Sequence, residues 1–252
     1  MLKIALSGCC GRMGHVINDI VSGREGMEIV AGFDINTVQY ADFPIFADPF
    51  EFTGECDVII DFSNAASTER LLDYCEQHGT PVVICTTGHS AAQLDRIRAA
   101  SAKIAVFRSG NMSLGINLMS ELLKQSAAVL GDKYDVEIIE KHHNQKLDAP
   151  SGTALMLADA INEENDGAYH YVYDRSAVRQ KRDPKEIGIS SVRGGSIVGD
   201  HEVLFCGPDE VITLKHTAYS RSIFANGAIN AAVYLAKKEP GLYNMGDLIA
   251  SI

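Results

Sequence analysis

The feature that most constrains the fold is a glycine-rich turn between a predicted strand, Lys3 to Ser7, and a predicted helix, Arg12 to Ser22. The turn reads Gly8-Cys9-Cys10-Gly11-Arg12-Met13-Gly14. Glycines permit a tight turn, and they let backbone amides approach a pyrophosphate at the positive end of a helix. The sequence therefore predicts a strand, turn and helix that bind a dinucleotide. A glycine-rich turn without a ligand is the alternative interpretation.

An acidic residue in the expected place supports the dinucleotide interpretation. Asp34 ends the second predicted strand, twenty positions after Gly14. From there its carboxylate can accept hydrogen bonds from the adenosine ribose hydroxyls. The next residue is Ile35 rather than arginine, so a 2′-phosphate would meet a negative charge without a matching fork of donors. This favours NAD over NADP, although Arg12 would soften the preference.

The first part of the chain alternates short apolar runs with segments of helical spacing. This rhythm is typical of parallel strands joined by helical crossovers. No structure is predicted for residues 40–54. The predicted strands are Lys3 to Ser7, Met27 to Phe33, Asp57 to Asp61, Pro81 to Cys85 and Ile104 to Phe107, and the predicted helices are Arg12 to Ser22, Ser67 to His78 and Ala91 to Ala102.

The rhythm changes after Asn111, which indicates a second domain. Charged and tyrosine-rich residues 168–186 are expected to form a mobile excursion. Helices are predicted at 114–130, from about 151, and at 223–237, and strands at 134–141, 189–193, 202–206 and 211–216. The predicted class is α/β. A Rossmann dinucleotide-binding domain spans 1–112, with 222–252 returning to it, and a smaller α+β domain with a mixed or antiparallel sheet spans 113–221.

Composition excludes several classes of partner. The 252 residues carry 22 Lys and Arg against 33 Asp and Glu, and the formal net charge of -11 would repel a phosphate backbone, so no nucleic acid is expected. No run approaches the ~20 apolar residues of a membrane span, and the N-terminus lacks a signal-peptide pattern, so we expect a cytoplasmic protein.

Six cysteines without a CxxC pair predict free thiols. Adjacent Cys9 and Cys10 suit neither an ordinary disulfide nor a tetrahedral zinc site.

The densest chemical segment is Glu140-Lys141-His142-His143-Asn144-Gln145-Lys146-Leu147-Asp148-Ala149-Pro150-Ser151-Gly152-Thr153-Ala154. Ser151 is a natural helix N-cap, and the following amides of Gly152 and Thr153 could bind a substrate carboxylate. A bare N-cap explains Ser151 equally well. Lys146 and the two histidines favour a substrate site, because a cap does not require them.

His142 and His143 are consecutive, so on a strand their rings face opposite sides. Each imidazole could act as a donor or proton carrier near neutral pH, although a lone histidine is often structural. A zinc site built from these histidines and Asp148 is not favoured, because the usual ligand spacing is absent. No metal is therefore expected.

Motifs along the whole chain resemble the 4-hydroxy-tetrahydrodipicolinate reductase (dihydrodipicolinate reductase) family. The string from His142 to Thr153, His-His-x-x-Lys-x-Asp-Ala-Pro-Ser-Gly-Thr, is highly specific, whereas many dehydrogenases share the glycine turn. The other matching motifs are GCCGRMG at the turn, TTG at 86–88, GNMSLGIN at 110–117, SVRGGSIVGDHEV at 191–203 and SRSIFANGA at 220–228.

The resemblance implies an enzyme of the diaminopimelate route to lysine that reduces a small dicarboxylate with NADH or NADPH and assembles as a homotetramer through its C-terminal sheets. By motif, His142 and Lys146 match catalytic proton carriers. The implied substrate-binding residues are His143, Ser151, Gly152 and Thr153. The implied nucleotide contacts are Gly8, Cys9, Cys10, Gly11, Arg12, Met13, Asp34, Cys85, Thr86, Thr87, Ser109, Gly110, Asn111 and Met112.

Some family members carry arginine at the position of Ile35, and glycine and phenylalanine at those of Cys85 and Met112. NADH is favoured here on the strength of Asp34 followed by Ile35. The implied chemistry is hydride addition at C4 of a cyclic imine after loss of the 4-hydroxyl. Cationic Lys146 and an imidazolium at His142 would then supply protons and stabilise the developing charge.

Three other functions stay open at this point. Another NAD(P)-dependent oxidoreductase, of the homoserine or aspartate dehydrogenase kind, explains the glycine turn but not the His-His-Lys segment. A non-enzymatic dinucleotide-binding regulator explains the first domain alone. A structural or interaction protein explains neither domain.

Overall fold

The computed structural model describes residues 1–252, with the side chain of Asp132 outside the description. The chain divides into two units. Unit 1 consists of Met1–Leu114 and Ser222–Ile252, and unit 2 of Gly115–Arg221.

Unit 1 is built on a seven-stranded sheet in which every strand pair is parallel. Its elements, numbered along the whole chain, are β1 (Leu2–Ser7), α1 (Arg12–Ser22), β2 (Met27–Phe33), β3 (Ile45–Phe46), β4 (Val58–Asp61), α2 (Thr68–His78), β5 (Val82–Ile84), α3 (Ala91–Ala100), β6 (Ala105–Arg108), α6 (Ser222–Leu235), β12 (Gly241–Tyr243) and α7 (Met245–Ala250). The strand order is β3-β2-β1-β4-β5-β6-β12, so the order reverses beside β1, as in doubly wound nucleotide-binding sheets.

The two faces of this sheet are covered by different helices. Ile4 and Leu6 of β1 belong to a core shared with α1 and α6, whereas Ala5 between them belongs to a core shared with α2 and α3. Burial on both faces explains why these strands are continuous apolar runs. The α/β class and the Rossmann-like sheet predicted from the sequence are confirmed.

Unit 2 contains a five-stranded sheet in the order β11-β10-β7-β9-β8. β10 pairs antiparallel with β7 and β11, whereas β9 pairs parallel with β7 and β8, so the sheet is mixed. Its elements are α4 (Leu114–Leu130, starting at the end of unit 1), β7 (Asp135–His142), α5 (Gly152–Glu163), β8 (His170–Val172), β9 (Glu186–Arg193), β10 (Gly199–Cys206) and β11 (Val211–Ala218).

The segment 168–186, expected to be a mobile excursion, contains a strand and fixed polar contacts. β8 pairs with β9, and Arg175 forms an ion pair with Glu186. The guanidinium of Arg182 donates to Glu137 Oε1 at 3.1 Å and to the carbonyl of Val136 at 2.8 Å. These partners lie far away in sequence, so local composition could not reveal them.

One face of the unit 2 sheet packs against α4 and α5. Val136 and Ile138 of β7 join Leu157 of α5 and Leu123 of α4 in its core. Burial along β7 alternates with period two, so every second side chain points to the helices. Across the residues that the structure describes, none of the helices combines the length and apolarity needed to cross a bilayer.

Candidate active site

The glycine turn of unit 1 has the geometry expected of an anion-binding loop. Gly8 has a φ of +78°, and a Cβ there would lie 2.5 Å from the carbonyl oxygen of Phe62, so only glycine fits. Gly11 is the N-cap residue of α1, and its amide donates to the Gly8 carbonyl at 3.1 Å. The turn therefore closes tightly, with the positive end of α1 directly after it.

Asp34 lies against this turn. Its Oδ2 accepts a hydrogen bond from the Cys10 amide at 3.0 Å, and its Oδ1 accepts one from the Asn36 amide at 3.0 Å. A carboxylate has about four acceptor positions, so oxygens held in this way can still accept from ribose hydroxyls. Next to it, Ile35 is 97% exposed, and Arg12 is also exposed.

The other predicted nucleotide contacts follow the neighbouring strands. Cys85, Thr86 and Thr87 follow β5, while 109–112 follow β6, so they share the carboxyl edge of the parallel sheet with the glycine turn. Thr87 and Gly110 are exposed there, whereas Cys85 and Met112 are buried.

Sequence reasoning missed a buried carboxylate at this edge. Asp61 ends β4 with no exposed surface. Thr86 donates its hydroxyl to Asp61 Oδ2 at 2.7 Å, and the hydroxyl of Ser63 donates to Oδ1. Asp61 thus fixes the loop after β5. The signal was an acidic residue at the end of an apolar strand.

In unit 2, the side chains on the buried face of β7 change from apolar to polar toward the end of the strand. Val136 and Ile138 are followed on the same face by Glu140 and His142. Glu140 has no exposed surface, and the side chain of His142 is 11% exposed. Burying a charge without partners is very unfavourable, so this arrangement requires a set of hydrogen bonds.

Glu140 receives hydrogen bonds at both carboxylate oxygens. The Arg193 guanidinium binds it bidentately, at 2.6 Å to Oε1 and 2.8 Å to Oε2. The Ser151 amide donates to Oε1 at 3.1 Å, and His142 Nδ1 lies 2.6 Å from Oε2. The register explains the convergence, since β9 places Arg193 opposite His142 and β10 places His201 opposite Glu140.

The electrostatics of this cluster determine its protonation. Burial alone would raise the pKa of Glu140, but hydrogen bonds from Arg193 and His142 outweigh it and lower the pKa to about 2. Burial lowers the pKa of His142 below its usual 6.5, and the contact with Glu140 offsets this only in part. At pH 7 the ring is therefore neutral, which differs from the imidazolium expected from the sequence.

The tautomer of His142 follows from these contacts. An ionised carboxylate only accepts hydrogen bonds, so the proton of the neutral ring sits on Nδ1, facing Glu140. Nε2 then keeps its lone pair. It lies beside Gly199, where a Cβ would come within 3.3 Å of it. The geometry makes His142 Nε2 a proton acceptor at neutral pH.

A second polar pair lies beside the first. Ser151 caps α5, since its Oγ accepts from the Ala154 amide at 3.1 Å, and the same Oγ is 3.0 Å from His201 Nε2. Burial lowers the pKa of His201 to about 4, and its ring packs edge-on against that of His142 with centroids 5.2 Å apart. Ser151 is 2% exposed, so its hydroxyl serves these two internal bonds.

The remaining predicted residues of unit 2 lie on the loop between β7 and α5. Lys146 forms an ion pair with Asp148, at 2.9 Å between Nζ and Oδ1. His143 is half-buried, and its carbonyl accepts the amide of Lys146. Gly152 is exposed, and the space beside it is open. The loop thus presents a cation and an imidazole near the start of a helix.

The structure groups the sequence-predicted residues in two places, one in each unit. Glu140, Arg193 and His201 were not among the predicted site residues, although all three contact or adjoin His142. The available signal was the alternation along β7, which places the carboxylate of Glu140 on the same face as Val136 and Ile138.

Two family models together match nearly the whole chain. The family model described as "Dihydrodipicolinate reductase, N-terminus" matches residues 2–112, and "Dihydrodipicolinate reductase, C-terminus" matches 115–249. The chain is 49% identical over 251 residues to the 4-hydroxy-tetrahydrodipicolinate reductase of Clostridium novyi (strain NT), covering 100% of this chain and 99% of the relative.

Two further comparisons agree with these. The 4-hydroxy-tetrahydrodipicolinate reductase of Caldanaerobacter subterraneus subsp. tengcongensis is 48% identical over 249 residues, with 99% of this chain and 98% of the relative covered. The solved structure of a dipicolinate-bound dihydrodipicolinate reductase from Paenisporosarcina sp. TG-14 is similar with a TM-score of 0.80 and 28% identity, covering 97% of each chain.

Proposed function

This chain belongs to the dihydrodipicolinate reductase family and reduces 4-hydroxy-tetrahydrodipicolinate in lysine biosynthesis; we propose that NADH is its preferred reductant and that His142 and Lys146 carry the proton transfers. The observation that carries the proposal for the residues is the buried Glu140–His142 pair next to the Lys146 loop. A regulator that only binds a dinucleotide has no use for such a pair.

The residues of unit 1 fit a pyridine dinucleotide. The turn at Gly8 has no room for a side chain, and the N-terminus of α1 follows it, so backbone amides and the helix dipole can hold a pyrophosphate. Asp34 would accept hydrogen bonds from the adenosine ribose. When bound, the reduced nicotinamide supplies the hydride, which is added at C4 of the substrate ring.

Charge at the end of β2 supports the NADH preference. Asp34 is fixed by two amides, and the neighbouring Ile35 offers no donor. The 2′-phosphate of NADPH would lie against the carboxylate of Asp34. The exposed Arg12 is the cation that the glycine turn offers to balance it. Like-charge proximity disfavours binding, so NADPH should bind more weakly than NADH.

In unit 2 the proposed proton carriers differ in charge. Lys146 holds donatable protons at Nζ, and its positive charge would stabilise electron density that develops on the substrate ring. His142 holds its proton at Nδ1 against Glu140 and offers a lone pair at Nε2. We therefore assign proton donation to Lys146 and proton acceptance to His142.

The start of α5 is the proposed binding site for a substrate carboxylate. Gly152 and Thr153 form the first turn of that helix, where the dipole favours an anion. His143 adds a further polar group on the preceding loop. Ser151 stabilises this helix start, since its hydroxyl caps the helix and contacts His201.

The proposal is tested by steady-state kinetics with 4-hydroxy-tetrahydrodipicolinate generated in place, comparing NADH with NADPH and measuring nucleotide affinity separately. Lys146→Ala and His142→Ala should lower kcat by on the order of 100-fold while nucleotide affinity stays within about twofold. Lys141→Ala, whose ammonium pairs with Asp200, is the control. Equal losses of nucleotide binding, or a strong preference for NADPH, would refute the corresponding assignment.

We also propose a homotetramer assembled through the sheet of unit 2. Val192, Val211 and Ile212 on its strands are exposed, and burial of such side chains favours association. Sedimentation equilibrium tests the assembly, and a monomer at micromolar concentration would contradict it.

We propose a cytoplasmic location. All six cysteines are free, as in proteins of the reducing cytoplasm.

A further inference from the structure

Three residues of the glycine turn and its acid form a cluster of metal-ligand atoms. The Sγ atoms of Cys9 and Cys10 are 3.9 Å apart. A carboxylate oxygen of Asp34 and both sulfur atoms all lie within 4.8 Å of one another. The carbonyl oxygen of Asn36 lies 3.0 Å from Cys10 Sγ. Two sulfurs and one carboxylate oxygen are therefore grouped together, with a carbonyl oxygen beside one of the sulfurs.

The separation between the sulfurs matches a tetrahedral metal site. With zinc–sulfur bonds of about 2.3 Å and tetrahedral angles, two ligating sulfurs lie about 3.8 Å apart. The observed 3.9 Å is close to this value before any ion is added. A site that is already assembled requires little rearrangement on binding.

Although Cys9 and Cys10 are adjacent in sequence, the backbone of the turn brings their thiols together. Consecutive side chains on an extended strand point to opposite faces, so a Cys-Cys pair there could not share a metal. Here the chain leaves β1 at Ser7 and turns through Gly8, at a φ of +78°, before α1 begins. In this turn both thiols point to the same cluster, with Cys9 fully buried and Cys10 half-buried.

We propose that Cys9, Cys10 and Asp34 bind one thiophilic divalent cation, of the Zn²⁺ or Cd²⁺ type, and that the bound ion excludes the dinucleotide. Binding replaces two thiol protons by two metal–sulfur bonds and releases both protons to solvent, with no change of oxidation state. The carboxylate supplies the third ligand, and the fourth position is open to an oxygen such as the Asn36 carbonyl, which lies beside Cys10 Sγ.

The exclusion rests on the proposed nucleotide site, because both ligands need the same groups. Asp34 would give its acceptor lone pairs either to the ribose hydroxyls or to the cation. Cys10 lies in the turn whose amides would approach the pyrophosphate, and its amide already donates to Asp34. A cation bound to Asp34 would therefore compete with the ribose for the same oxygens.

The site itself is tested by titrating the full chain with Cd²⁺, in a phosphine reductant that keeps thiols reduced, and following thiolate-to-cadmium absorption in the ultraviolet. One equivalent should bind, at least about tenfold more weakly in Cys10→Ser and in Cys9→Ser. Cys206→Ser in unit 2 should bind as the unaltered chain does, and circular dichroism checks that each variant is folded. Absent absorption, or equal affinity in a folded Cys10→Ser, overturns the site.

The exclusion is tested by calorimetric titration with Cd²⁺ in the presence and absence of saturating NADH. The apparent affinity for Cd²⁺ should fall at least about tenfold with NADH, whereas excess Mg²⁺ should leave it unchanged. Cadmium binding that is lost in Cys10→Ser but insensitive to NADH keeps the metal site and refutes the shared nucleotide site. Because the absorption needs no nucleotide, failure of the metal site is distinguishable from failure of the proposed cofactor preference.

Discussion

Glu140 illustrates how a single buried charge can set the chemistry of a neighbouring side chain. Its carboxylate accepts both arms of Arg193 and the Ser151 amide, so it stays ionised without exposure to water. Because it stays ionised, it fixes the proton of His142 on Nδ1. Arg193 thus acts on His142 through Glu140, and neither of these two positioning residues need touch the substrate.

Replacing Glu140 by glutamine should separate orientation from proton transfer. Glu140→Gln keeps the size but removes the charge that raises the pKa of His142, so that pKa should fall further. We expect kcat to drop by on the order of 100-fold and the acidic limb of kcat/KM to move to lower pH. Glu202→Gln, on β10 near Lys215, is the matched control. An unchanged acidic limb would mean that Glu140 has only a structural role.

Gly199 offers a second test at the residue scale, because its missing side chain leaves His142 Nε2 accessible. A Cβ at Gly199 would lie 3.3 Å from Nε2, closer than ordinary contact. Gly199→Ala should therefore displace or cover the ring and lower kcat roughly tenfold. Gly194→Ala has open space around its Cβ and should keep full activity. If both variants retain wild-type kcat, Nε2 is not the acting atom.

At the scale of elements, the start of α5 connects stability with the site. Ser151 caps this helix and bonds the buried His201, whereas Ser90 caps the exposed start of α3 through a capping box with Gln93. Loss of an N-cap costs about 1 kcal/mol, and a buried group left without its partner costs a further 1–3 kcal/mol or so. The two caps should therefore differ in their contributions to stability.

We expect Ser151→Ala to lower the free energy of unfolding by about 2–4 kcal/mol and Ser90→Ala by about 1 kcal/mol. Urea denaturation followed by circular dichroism measures both values. The difference between the variants reports the Ser151–His201 bond, so the double variant Ser151→Ala/His201→Leu should lose less than the sum of its single changes. Additive losses would contradict this coupling.

Elements with a clear period could be predicted from the sequence, and short or edge elements could not. Five strands of unit 1, β1, β2, β4, β5 and β6, were predicted because their apolar runs reflect burial. β3 and β12 are edge strands of two and three residues, and neither contains a buried apolar run. β8 lies among charged residues, and its pairing with β9 depends on tertiary contacts such as those of Arg182.

The site shows the same limit for a different reason. His142 and Lys146 lie in one specific motif, so the sequence alone could propose them as proton carriers. Arg193 and His201 reach Glu140 across β9 and β10, and only the strand register brings them there. Sequence reasoning also could not give the charge of His142, since that depends on burial beside Glu140.

At the scale of the whole molecule, buried histidines make stability depend on pH. The folded pKa of His201 is about 4, lowered first by burial and then by His142, against about 6.5 in the unfolded chain. Between these values the unfolded state binds more protons, so stability falls as pH falls from about 6.5 to 4. His142, His89 and His216 are shifted in the same direction by burial. Glu140 acts in a lower window, below its unfolded value of about 4.5 and down to about 2.

Urea denaturation between pH 7.5 and 4 should therefore show a falling free energy of unfolding, to which His201 contributes up to about 3 kcal/mol. His201→Gln keeps a polar partner for Ser151 but cannot take up a proton, so the fall across this range should become smaller by that amount. His170→Gln, at an exposed position of unit 2, should leave it unchanged. The charges of Glu140 and Asp200 oppose the shift of the His201 pKa, whereas those of His142 and His216 support it. An equal slope in His201→Gln and the unaltered chain would show that these charges cancel the effect of burial.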